Sequence, residues 1–265
     1  MKLKRYLILS LVCLASLSSY AQEGKPAGVP AHSEELQLDA FQRVRVKGDF
    51  VVHILPQADA PQVFIQLPEE LKEQLEVRVK GNALELAWAP KSRFQLPTQQ
   101  RAELWVCTSE LEALEIFGSG LIQAEELEPS TTNFQLNVTG SGQIKLGQLQ
   151  CQQLKADVTG SGQISIPELR SHEANLAISG SGQMQLGGQV KELSLDVLGS
   201  GKMEALKLQA NICKANVTGS GLIQTNTQQK LRVKISGSGK VNYSGNPNLS
   251  ILRGNKKQVK QLKNE

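Results

Sequence analysis

The chain has 265 residues with 29 Lys and Arg against 25 Asp and Glu, enough for one large or two modest domains with a substantial core. Without the N-terminal leader that carries Lys2, Lys4 and Arg5, the formal charge falls from +4 to +1, so the overall balance does not favour nucleic acid as a partner. Three cysteines lie outside that leader, an odd number allowing at most one disulfide plus a free thiol, and no pair has metal-ligand spacing.

Residues 1–21 read as an export signal: a basic start, an apolar run from Leu7 to Leu17, and Ser19-Tyr20-Ala21 as a small-x-small cleavage site. The run is too short for a spanning helix and no later stretch approaches one, so no transmembrane segment is expected in the mature chain. Cys13 follows Leu11-Val12 rather than small residues, which disfavours lipid attachment. Residues 22–35, with Gly24, Pro26, Gly28 and Pro30, read as a flexible lead.

Residues 36–110 read as a strand-rich entry module that caps one end of a longer repeat region. Phe41 to Val46 alternates apolar and polar residues, Lys47-Gly48-Asp49 turns, and Phe50 to Leu55 is a second strand. Val63 to Leu67 is a third, and Pro68 opens one or two helical turns with acids in the first turn. Glu76–Val79 and Ala83–Trp88 flank Gly81-Asn82 as a hairpin, and Ala102 to Val106 adds a strand.

From 111 to 245 the tripeptide Gly-Ser-Gly recurs seven times. Its glycines are Gly118 and Gly120, Gly140 and Gly142, Gly160 and Gly162, Gly180 and Gly182, Gly199 and Gly201, Gly219 and Gly221, and Gly237 and Gly239. The first glycines are 22, 20, 20, 19, 20 and 18 residues apart, a period of stacked units that bury a core only against their neighbours. Two residues before each first glycine stands Ile116, Val138, Val158, Ile178, Val197, Val217 or Ile235; four after it stands Ile122, Ile144, Ile164, Met184, Met203, Ile223 or Val241. Alternation on both sides of the tripeptide predicts two short strands per unit, each with one face inward. Stacked in register at about 4.8 Å per coil, seven units make a rod on the order of 34 Å long. The expected fold is all-β, a right-handed parallel β-helix of about seven coils. Residues 246–265 read as a capping element or a basic tail, the tail being preferred.

Each tripeptide is read as a corner, where glycine supplies a cramped or positive-φ backbone and serine bonds nearby backbone. A phosphate cradle would need a following helix, and every tripeptide here runs into a strand. Calcium-binding repeats would need a carboxylate just after the glycines, where Leu, Gln and Lys stand. No cofactor is implied. His32, His53 and His172 are scattered and make no metal site; Cys213 takes an inward position and reads as core; Trp88 and Trp105 read as core ahead of an aromatic binding platform.

Repeated Val-Thr-Gly-Ser-Gly-Gln-Ile units behind an export signal and a strand-rich module resemble the auto-transporter adhesin, head GIN domain family from about Phe41 to about Tyr243. That resemblance implies a pectin-lyase-like β-helix in the bacterial envelope and a role in adhesion. No alternating ten-residue lipid-facing strands follow Tyr243, so self-transport through an outer membrane is not expected.

Because β-helices also host carbohydrate lyases and glycosidases, the acids need a test. The row three residues before each first glycine reads Glu115, Asn137, Asp157, Ala177, Asp196, Asn216 and Lys234. Asp157 and Asp196 fall two coils apart, about 9.6 Å, near the upper carboxyl spacing of inverting glycosidases. With Lys155 and Lys214 on the same polar face, they are the candidates for an enzyme acting on an acidic glycan, against the alternative of a bonded Asn/Asp row. The expectation is instead a non-enzymatic exported protein of the periplasm, outer-membrane surface or extracellular space. Its polar rows, Gln143, Gln163, Gln183, Lys155 and Lys214, would bind a glycan, another envelope protein or a second copy, or serve as a purely structural module.

Overall fold

The computed structural model describes residues 25–55, 61–89, 102–108, 110–129 and 131–262; the leader falls outside them. In chain order the strands are β1 Glu34–Leu36, β2 Arg43–Lys47, β3 Val51–Leu55, β4 Gln62–Gln66, β5 Leu75–Lys80, β6 Ala83–Trp88 and β7 Glu103–Cys107, with a short helix, α1, at Glu69–Lys72. Then come β8 Ala113–Gly118, β9 Leu121–Leu127, β10 Asn133–Gly140, β11 Gln143–Gly160, β12 Gln163–Gly180, β13 Gln183–Gly199, β14 Lys202–Gly219, β15 Leu222–Gly237, β16 Lys240–Ser244, β17 Asn248–Arg253 and β18 Val259–Gln261.

From β8 onward each coil pairs in parallel with the next, and the first glycines of all seven tripeptides lie in register. The chain is therefore the parallel β-helix that its repeat predicts. One difference concerns the sides of a coil. Along β11 the buried residues are Ile144 and Leu146, then Leu149 and Cys151, then Leu154, Ala156 and Val158. Alternation slips twice, and pairing with β12 is interrupted at 146–147 and at 152. Each regular coil thus turns three inward-facing runs, where the sequence pattern predicts two; the other bends carry no repeated tripeptide, with glycine at 147 and 187 but proline at 167.

The tripeptide joins two strands in every coil, and its glycines have a steric basis. Gly140 has φ +114°, and a Cβ there would meet the Gly118 carbonyl oxygen at 2.6 Å. Gly142 is buried, and a Cβ there would meet Ile116 Cγ2, in the coil beneath, at 2.5 Å. The inward β-branched residue of one coil fills the space that a side chain would need in the next. Serine contributes its backbone: Ser141 N donates to Gly118 O at 2.9 Å and Ser161 N to Gly140 O at 2.9 Å. The serine residues themselves are exposed along the corner.

The strands before the repeat belong to the same stack. β2 pairs in parallel with β8 on one side and β6 on the other, and β3 likewise with β9 and β7. β2 and β3 are consecutive sides of a coil lying between later parts of the chain. Its corner is Gly48-Asp49-Phe50: Ser119 N donates to Gly48 O and Leu121 N to Phe50 O, as in the Gly-Ser-Gly coils. Phe50 takes the place of the second glycine, fully buried, with its ring stacked on Trp88 at 4.6 Å. The outer edge is closed by antiparallel strands, β5 on β6 and β4 on β7, which satisfy backbone groups that a parallel stack would leave open.

At the other end, β17 pairs with β15 and β18 with β16, so residues through 262 are an ordered cap where the sequence pattern favours a tail. Between them, a 3-10 turn over Lys256–Gln258 is held by a reciprocal capping box from Asn255 and Gln258. Gln258 Nε2 donates to Gly237 O at 2.9 Å and Gly239 O at 3.1 Å, the carbonyls of the last corner.

Candidate functional site

The outward residues form straight columns because every coil is in register. One column runs the length of the molecule: Glu85, Arg45, Glu115, Asn137, Asp157, Ala177, Asp196, Asn216, Lys234 and Arg253, each paired with the next. At its first end Arg45 donates to Glu85 at 2.8 Å and to Glu115 at 2.7 Å, while Lys47 and Arg78 also reach Glu85 and Arg43 reaches Glu115. Burial pushes both carboxyls up, but these cationic hydrogen bonds outweigh it, holding Glu85 down at about 2 and Glu115 below the usual carboxylate range.

The two catalytic candidates lie in this column, with Ala177 between them. Asp196 accepts from Asn216 Nδ2 at 2.7 Å and from Ser194 Oγ at 3.5 Å; Asp157 pairs with Lys155 at 3.7 Å. Both belong to local polar contacts of one sheet face. Lys155 and Lys214 share the neighbouring column but stand three coils apart, separated by Asn175 and Ser194, or about 14 Å. Gln143, Gln163 and Gln183 stack directly, followed by Lys202, and Gln183 Nε2 bonds Glu204 at 2.7 Å.

A polar cleft of about 430 Å³ lies elsewhere, at the bend after Leu127 and its successors. Glu128, Thr131, Thr132, Gln150, Gln152, Arg170 and His172 line it, and Gln150 Nε2 donates to Glu128 at 2.7 Å. Sequence alignment on Gly-Ser-Gly misses these residues because they sit far from the tripeptide. The available signal was the first spacing, 22 residues rather than 20, whose surplus falls between Leu127 and Asn133, beside this cleft.

The remaining groups are structural. Cys107, Cys151 and Cys213 are unpaired, buried thiols, each pushed up to about 11 by burial. Trp105 is 5 % exposed and stacks on His53 at 5.0 Å, so it is core rather than a platform. Among the described residues no group of three or more His, Cys, Asp or Glu is placed to hold a metal ion, and no helix is long and apolar enough to cross a membrane.

An apolar-cored parallel β-helix with polar columns in register defines a β-solenoid. The chain belongs to the family described as putative auto-transporter adhesin, head GIN domain, whose model matches residues 40–247. Its fold is similar to that of two crystal structures of putative adhesins, from Parabacteroides distasonis and Parabacteroides merdae. Each is 18% identical with TM-score 0.79 over 87% of this chain; 96% and 95% of those chains are covered. It is also similar to a structure described as a putative lipid binding protein from Parabacteroides distasonis, 22% identical with TM-score 0.76, covering 87% of this chain and 96% of that one. Comparison with curated proteins gives no match.

Proposed function

We propose that this is a non-enzymatic, exported adhesion or surface-binding protein that holds a polysaccharide against the outward columns of its β-helix. One observation carries the reading: equivalent polar side chains, such as Gln143, Gln163 and Gln183, repeat in register at one-coil steps of about 4.8 Å. An extended polymer meets such a column as several weak contacts at once, and their combination raises affinity without a deep pocket. The family membership supports an envelope or cell-surface setting. A lipid acyl chain suits the molecule less well, because the cleft beside Arg170 and His172 is lined by polar and charged side chains rather than apolar ones. A glycan array with residues 22–265 is expected to give binders that require several linked sugars, and Q143A/Q163A/Q183A is expected to weaken them about tenfold. Binding of monosaccharides as tightly as polymers, or of no glycan, would overturn the proposal.

A further inference from the structure

Charge is divided very unevenly along the rod. Residues 22–204 carry 24 acidic and 15 basic side chains; residues 205–265 carry 11 basic ones and a single acidic one, the terminal Glu265. The near-neutral total conceals a strongly basic C-terminal end. Register gathers part of that charge on one face. Lys214 lies directly opposite Arg232, Lys230 and Lys234 flank Arg232 on β15, and Lys234 lies directly opposite Arg253 on β17. All five are exposed, and none has an ion pair among the described residues. Around the last corner, Lys240, Lys256, Lys257 and Lys260 add further exposed cations.

Two features separate this patch from an ordinary solvated face. Like charges directly across a ladder repel, and here two such pairs, Lys214/Arg232 and Lys234/Arg253, occur side by side. Second, at the other end of the same column Arg45 is held between Glu85 and Glu115, so this architecture readily supplies alternating charge where neutrality is wanted. The geometry points to a linear polyanionic glycan, its carboxylate or sulfate groups laid across Lys214, Lys230, Arg232, Lys234 and Arg253. This rests on the reading of the solenoid as a polymer-binding module and gives that polymer a charge. Cations arrayed over β14, β15 and β17 suit an extended chain, which can satisfy several coils in succession while its counterions are released.

The test measures binding of residues 22–265 to heparin, to alginate as a polyuronate, to neutral dextran, and to vesicles containing phosphatidylglycerol, between ~0.05 M and ~0.5 M salt. The expected result is affinity for heparin and alginate that falls steeply with salt, with no binding to dextran. R232E/K234E/R253E is expected to weaken binding at least about tenfold, whereas K80E, on β5 at the opposite end, changes it less than about twofold. Because the three replaced side chains are exposed, an unchanged melting temperature will show that the variant folds. Equal loss in K80E, or undiminished binding by the triple variant, overturns the assignment. So does binding to vesicles but not to polymers, or a salt-sensitive dimer with no polymer affinity. Binding to neutral glycans alone would overturn this inference while leaving the polymer-binding reading intact; no glycan binding would remove both.

Discussion

The two ends of the β-helix solve the same electrostatic problem in opposite ways. At the N-terminal end the long column alternates sign, Glu85, Arg45, Glu115, with both carboxylates nearly buried and each held by more than one cation. At the C-terminal end it finishes Lys234, Arg253, in the open and without a carboxylate. Removing a partner from the first arrangement weakens the compensation of a buried charge; removing one from the second relieves repulsion. The same column position is therefore structural at one end and available for contact at the other.

Arg45→Ala should break the first arrangement most severely. It removes the shared partner of Glu85 and Glu115 while Lys47 and Arg78 stay on Glu85 and Arg43 on Glu115, and a loss of about 3 kcal/mol is expected in urea unfolding. Acid should act on the same network. The Glu85 carboxyl is depressed in the folded state, so its contribution is present above the ordinary carboxylate pKa of about 4.5 and disappears as pH falls toward about 2. Roughly 3 kcal/mol should be lost across that window, and Glu85→Gln should flatten the loss in a melting-temperature profile. In the uniform coils between the ends, Gly162→Ala would drive a Cβ into Val138 Cγ1 of the coil beneath, for a cost of about 1–3 kcal/mol. Gln258→Ala should cost about 1 kcal/mol and raise hydrogen exchange in β16 and β18 before the central coils. Smallest of all, Lys234→Ala should leave stability within about 0.5 kcal/mol, on the favourable side. A large loss there would erase the contrast between the ends.

The same contrast separates what residues alone reveal from what they hide. Gly-Ser-Gly is legible because a corner glycine is required at two positions in each coil, by a neighbouring carbonyl and by the β-branched side chain beneath. The coil of β2 and β3 is obscured because Phe50 replaces the second glycine and because Arg45 finds Glu85 and Glu115 far along the chain. The bends at 146–147 and 152 carry no recurrent residue, so a three-sided coil looks two-stranded. Likewise, Asn137 through Arg253 can be aligned by counting from the tripeptides only as far as Lys234; placing Arg253 opposite it requires the pairing of β17. The basic face was hidden by a total charge in which an acidic majority of the chain cancels it.

The cap at Gln258 has a consequence for assembly. A parallel stack offers its final carbonyls to any chain able to present backbone N–H groups in the same register, which is how solenoids grow end to end. Here one side-chain amide reaches Gly237 O and Gly239 O, the places where the serine and the residue after the second glycine of an eighth coil would donate. The molecule terminates by imitating its own next repeat. A further coil docking on this corner would first have to displace the Gln258 amide.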